Sequence, residues 1–123
     1  MNELSNFEIE VMHLFWEAGE LTAPEAHERV ASERDVAYTT VKTIIDRLEQ
    51  KGALKRVRTY GRTIVYAPLI KKEAMAKRHL QRFIDTVFKG RPRDLFATLF
   101  NDDQLSLDDL SYLESLLKEK DHD

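Results

Sequence analysis

The chain contains no cysteine, so it can form no disulfide, thiolate metal site or thiol redox switch. A long apolar run is missing too. Nowhere do the roughly 18 uninterrupted apolar residues of a membrane-spanning helix appear. The opening Met1-Asn2-Glu3-Leu4 lacks the basic start before an apolar segment that marks a secretion signal. A cytoplasmic protein is expected. The histidines, His13, His27, His79 and His122, lie far apart, with no cysteine nearby and no recognisable serine-nucleophile motif. No His-x-x-x-His spacing suggests a metal site. These absences point away from an enzyme, a cofactor or a bound metal. His13 and His27 read as packed or surface residues, and Glu8 and Glu10, like Asp108 and Asp109, as capping and solvated charges rather than an acid/base pair.

What is present is enough for one small core or two linked units: 123 residues, 42% hydrophobic and 9% aromatic. The net charge of −3 hides a strong segregation. Residues 1–36 carry 2 Lys/Arg against 9 Asp/Glu, a net −7, whereas residues 37–68 carry 7 against 2, a net +5. Residues 69–93 are again basic at +6, and residues 94–123 are acidic at −7. A nucleic-acid-binding chain need be basic only where it docks.

The first basic block opens with the most informative stretch, Ala37 to Gly52. Val41, Ile44, Ile45 and Leu48 recur at i, i+3, i+4 and i+7, the stripe of a helix packed on a core. The opposite side carries Thr39, Thr43, Asp46 and Gln50, flanked by Thr40, Lys42 and Arg47. Short hydroxyl and amide groups suit base edges, and flanking cations suit phosphates; an ordinary solvated face would have the same pattern. Gly52 is placed to end this helix in a left-handed cap. Residues 53–60 and 63–67 are short runs rich in β-branched and aromatic residues, with Gly61-Arg62 between them as a tight turn. A hairpin after a basic helix is the layout of a winged helix-turn-helix, with Arg62 at the wing tip, although an incidental surface hairpin would read alike. Upstream, Ser5 with Glu8 and Thr22 with Glu25 are capping boxes. They open a helix ending near Ala18-Gly19, with Phe15 and Trp16 in the core, and a second running to about Ser32, where Pro24 is tolerated in the first turn.

Beyond Pro68 the chain turns helical again. Ala76, Leu80, Phe83, Ile84, Val87 and Phe88 form one apolar stripe, Leu95, Phe96, Leu99 and Phe100 another, and Ser106 with Asp109 caps a last helix bearing Leu110, Leu113, Leu116 and Leu117. Three short helices cannot bury that much apolar surface among themselves, and an isolated unit below about 60 residues is marginal. A homodimer built from residues 69–119 is the expectation; folding back onto the first domain is the alternative. The fold class is therefore mainly α with a small β-hairpin: a winged-helix DNA-binding domain over residues 1–69 and a helical dimerisation domain over residues 70–123.

Ala37 to Leu48, with Lys51-Gly52, Leu54-Lys55-Arg56 and Tyr66-Ala67-Pro68-Leu69-Ile70, closely resembles the penicillinase-repressor (BlaI/MecI/CopY) family. Leu4-Ser5, Glu8, Glu10-Val11-Met12, Leu14 and Trp16 resemble its opening, so the likeness covers nearly the whole chain. The resemblance implies a bacterial transcriptional repressor that binds an inverted-repeat operator on double-stranded DNA as a homodimer. Carried over by position, it implies Tyr38, Thr39, Thr40, Lys42, Thr43 and Arg47 on the helix entering the major groove, Arg62 on the wing, and Lys55, Arg56 and Arg58 on phosphates. Leu80, Phe83, Ile84, Val87, Phe88, Leu95, Phe96, Leu99, Leu110, Leu113 and Leu117, from the apolar stripes, are the residues expected to form the dimer. The copper-responsive branch carries C-terminal cysteine pairs, absent here. The β-lactam-responsive branch is cut at an Asn-Phe bond by a membrane sensor protease; the corresponding Ala97-Thr98-Leu99-Phe100-Asn101 holds those residues only in reverse order, with Thr98-Leu99 as the candidate cleavage site. The competing function is a protein-interaction module whose basic segment binds an acidic partner.

Overall fold

The computed structural model describes residues 3–101 and 103–121, so His122 and the opening Met1-Asn2 lie outside the described residues. Both N-terminal capping boxes form. Ser5 Oγ accepts from the Glu8 amide at 3.2 Å while Glu8 Oε1 accepts from the Ser5 amide at 2.8 Å, opening α1 (Asn6–Ala18). Thr22 and Glu25 repeat the exchange at the start of α2 (Ala23–Ala31). Between them, β1 (Leu21–Thr22) is only two residues long, too short for any alternation to announce it. The next elements are α3 (Tyr38–Gln50), β2 (Leu54–Tyr60) and β3 (Thr63–Pro68). The sheet is antiparallel in the order β1-β3-β2, with Leu21 opposite Tyr66 and Tyr60 opposite Thr63 across the Gly61-Arg62 turn. A register shift between Arg56 and Arg58 interrupts the hairpin ladder.

The core lies where the three helices meet the sheet. Val11, Met12 and Phe15 of α1, Ala26 of α2, Val41, Ile45 and Leu48 of α3, and Leu54 and Tyr66 of the sheet form one buried cluster. Each large apolar side chain withdrawn from water contributes about 1.5 to 3 kcal/mol, so α3 is held chiefly by its inner stripe. Its C-terminal end is fixed by backbone chemistry. Gly52 adopts φ +80°, the Gly52 amide donates to the Glu49 carbonyl at 3.1 Å and the Ala53 amide to that of Leu48 at 2.8 Å, the paired bonds of a Schellman cap. Phe15 is fully buried, whereas Trp16 is half-buried and its indole N–H donates to the Ile70 carbonyl at 2.9 Å.

Glu8 departs from the expected solvated charge: it is 2% exposed, and Lys51 Nζ sits 2.8 Å from its Oε1. The capping box draws the carboxylate under the start of α1, and the end of α3 supplies its counter-ion. Burial acts to raise its pKa, but hydrogen bonds from Lys51 and Ser5 outweigh that and hold it below the ordinary value. Glu10 is exposed and pairs with Arg34 at 3.0 Å.

The chain divides into two compact units, Met1–His79 and Leu80–Asp123. The boundary falls inside α4 (Lys72–Val87), whose early residue Met75 belongs to the first core. The second unit continues with α5 (Pro92–Asn101) and α6 (Leu107–Asp121), and Ser106 and Asp109 exchange the capping bonds expected at the start of α6. Ile84 is buried within its own chain and Phe83 meets Phe88 edge to face. Much of the remaining apolar stripe stays open: Leu80, Val87, Phe96, Phe100 and Leu117 are exposed. An open apolar groove of about 730 Å³ runs between Phe96, Leu99, Phe100 and Leu105 on one side and Leu110, Leu113, Leu116 and Leu117 on the other. Among the described residues, no helix is long and apolar enough to cross a membrane.

Candidate nucleic-acid interface

α3 turns Val41, Ile44, Ile45 and Leu48 into the core and leaves Tyr38, Thr39, Thr40, Thr43 and Arg47 exposed. Its start is positioned from α2: His27 Nε2 lies 2.8 Å from the Val36 carbonyl, which can only accept, and the His27 ring meets Tyr38 edge to face at 5.8 Å. His27 is thus a packed residue that anchors the turn into α3. The N-cap residue Ala37 makes no side-chain cap, so no side chain there competes for the amides of the first turn. The Thr43 hydroxyl donates to the Thr39 carbonyl at 2.9 Å, leaving its lone pairs to accept from a base amino group.

Helix and wing converge at one place. Tyr38 and Lys42 of α3, Arg62 of the turn, and Thr63, Ile64 and Tyr66 of β3 line a cleft of about 110 Å³ closed by Ala23 and Pro24. Three sequence-assigned residues, two from α3 and one from the hairpin turn, therefore border the same small space.

The cations fall into two groups. Arg47, Lys55 and Arg62 are exposed and, among the described residues, have no carboxylate or hydrogen-bond partner. Lys42, Arg56 and Arg58 are partnered. Lys42 Nζ lies 2.6 Å from Asp46 Oδ1. Arg56 reaches Glu49 through Nε at 2.7 Å and Nη2 at 3.3 Å. Arg58 donates through Nη2 to Glu20 and through Nε to the Tyr60 hydroxyl at 3.1 Å, with its guanidinium 5.8 Å from that ring's centre. The Asp46 hydrogen bond raises the Lys42 pKa against the opposing effect of burial, and the carboxylates of Glu49 and Glu20 raise those of Arg56 and Arg58. Sequence reasoning missed Glu20, Glu49 and Tyr60. Tyr60 had a local signal, since alternation along β2 puts it on the same side as Arg58; Glu20 had none, being 38 residues from its partner.

A winged helix with this exposed helix face matches the family model for the penicillinase repressor over residues 4–119. The chain belongs to the penicillinase repressor family. Relatives include the methicillin resistance regulatory protein MecI of Mammaliicoccus sciuri, 28% identical over 118 residues, covering 96% of this chain and 95% of that one. The penicillinase repressor of Bacillus licheniformis is 26% identical over 117 residues, 95% of this chain and 91% of that one. Among solved structures, the DNA-binding domain of the repressor BlaI superposes with a TM-score of 0.52 at 30% identity, covering 56% of this chain and 83% of that domain. A MarR mutant from E. coli complexed with operator DNA gives 0.53 at 20% identity, covering 94% of this chain and 74% of that one; at that identity the likeness speaks for the fold alone. The fold is thus the winged helix of the penicillinase repressor family, extended by three C-terminal helices.

Proposed function

We propose that this family member is a non-catalytic transcriptional repressor that binds an inverted-repeat operator as a homodimer in the cytoplasm, with residues 1–69 on the DNA and residues 70–123 forming the dimer. The observation that carries the reading is the two-sided build of α3: an apolar face locked in the core and a face of threonines and Arg47 open to solvent, within a segment of net charge +5. A major groove about 12 Å wide admits such a helix. Tyr38, Thr39, Thr40, Lys42, Thr43 and Arg47 then face base edges and adjoining phosphates, Arg62 follows on the wing, and Lys55, Arg56 and Arg58 lie against the backbone. The likeness to the DNA-binding domain of the repressor BlaI supports the same assignment.

Arg47→Ala tests the reading head. If Arg47 reads a guanine edge, its removal lowers affinity for the DNA upstream of the chain's own gene by about 1 to 3 kcal/mol and relaxes one operator position, whereas losing a phosphate contact weakens all duplexes alike. Fluorescence anisotropy on the operator and its single-base variants separates the two. Unchanged affinity for every duplex removes Arg47 from the interface.

Derepression by proteolysis is the finer part of the proposal. Thr98 is exposed on α5, its hydroxyl donating to the Asp94 carbonyl at 2.9 Å, so a protease must unwind this helix to reach Thr98-Leu99. Cleavage there would detach Phe96 from Leu99 and Phe100 and divide the apolar groove. Incubation with a cognate membrane sensor peptidase is expected to yield fragments ending at Thr98, read by mass spectrometry. An intact chain, or cleavage elsewhere, contradicts this site.

A further inference from the structure

The pairing of half the interface cations with carboxylates bears on how the protein discriminates between DNA sequences, an inference that rests on the DNA-binding reading above. We propose that Asp46, Glu49 and Glu20 are specificity-determining residues: built-in counter-ions that suppress sequence-independent attraction to DNA and fix the direction from which Lys42, Arg56 and Arg58 approach it.

The electrostatics are local. Sequence-independent affinity comes from cations that displace the counter-ions condensed on DNA, and each such cation steepens the fall of log K with log salt by about 0.9. An arginine already facing a carboxylate has little net charge to offer a passing phosphate, and the carboxylate itself repels it. The engaged geometry still leaves something to give. Glu49 takes Nε and Nη2 of Arg56, and Glu20 and Tyr60 take Nη2 and Nε of Arg58, so the Nη1 donors of both guanidiniums remain available in a held orientation. Such donors reward a duplex whose backbone arrives in register and give little to one that does not. Lys42, held by Asp46 one turn along α3, is restrained in the same way on the reading helix. Unpaired Lys55 and Arg62, and Arg47 wherever no guanine edge meets it, are left to provide the attraction that any DNA feels.

The test uses the full-length chain with Glu20→Gln and Glu49→Gln combined, titrated by anisotropy against operator and random duplexes over a range of salt. The ion pairs are largely exposed, and such pairs contribute about 1 kcal/mol or less, so the variant remains folded, as a melting curve verifies. Freeing both arginines should steepen the salt slope on random DNA by up to about 1.8 and raise its affinity about fivefold per freed cation near 0.15 M salt. Operator affinity should rise less, so the operator-to-random ratio falls. Asp108→Asn, which removes one negative charge from the C-terminal unit, should leave both slopes unchanged. Adding Arg56→Ala should lower the random-DNA slope in the glutamine background and barely alter it in the wild type. An unchanged slope, or a loss of affinity for both duplexes, overturns the counter-ion role. Wild-type protein that binds no duplex at all contradicts the DNA-binding reading itself, a result distinct from failure of the counter-ion role.

Discussion

Replacing Leu113 and Leu117 together with glutamate should convert the proposed dimer to monomers and lower affinity for an inverted-repeat operator by about 100-fold or more. Both residues line the open groove between α5 and α6. Among the described residues, thirteen large hydrophobic side chains are exposed, and ten of them lie at or beyond Leu80. That concentration is what a protein interface displays before it is covered. A carboxylate forced into such an interface loses its hydration without gaining a partner. The DNA effect follows from geometry. Two linked reading helices engage two half-sites as one event, and linkage of this kind raises affinity about 100- to 10,000-fold over a single head. Sedimentation should report monomers, while affinity for an isolated half-site stays at the wild-type value. A double variant that still sediments as a dimer places the interface elsewhere; a wild type that is itself monomeric removes the dimer from the proposal.

Lys51→Met should destabilise the winged helix by about 3 kcal/mol at neutral pH, and the loss should shrink on acidification. Lys51 Nζ bonds both Glu8 Oε1 at 2.8 Å and the Glu3 carbonyl at 3.2 Å, while the second Glu8 oxygen is buried and has no partner among the described residues. Removing the ammonium strands a buried carboxylate, and breaking such a pair from one side costs several kcal/mol. In the wild type, Glu8 has a folded-state pKa below its unfolded one. Its contribution is therefore present above the ordinary carboxylate value of 4.5 and lost as pH falls through the depressed folded value. In the variant the Lys51 bond no longer opposes burial and only the Ser5 bonds remain, so the pKa of Glu8 rises from its wild-type folded value and less stability is lost on acidification. Urea titrations at pH 7 and near pH 4.5 should show the gap between the two proteins narrowing. Adding Glu8→Gln to Lys51→Met should restore most of the stability. A gap that is constant with pH would mean that Lys51 acts through its aliphatic stem alone.

What could be read in advance was whatever the chain encodes locally. The inner stripe of α3, the capping boxes at Ser5, Thr22 and Ser106, the Gly52 cap and the Gly61-Arg62 turn are patterns of a few residues, and each appears in the structure. What could not be read depends on residues brought together from far apart. β1 exists because Leu21 and Thr22 find the free edge of β3. Glu8 is a buried partner rather than a solvated charge because the end of α3 passes over the start of α1. The site shows the same division: the exposed face of α3 follows from periodicity, but which cations are already neutralised depends on Glu20 and Glu49, whose positions tertiary structure sets.

The most direct test of the central claim is selection of binding sites from a random library of DNA duplexes with the purified full-length chain at near-physiological salt. A dimeric repressor with paired reading helices should enrich inverted repeats whose half-sites lie about one helical turn, or a multiple of it, apart, and should bind them at two protomers per site. Enrichment of no sequence over random competitor would contradict a sequence-reading repressor and leave the basic segment to an acidic protein partner.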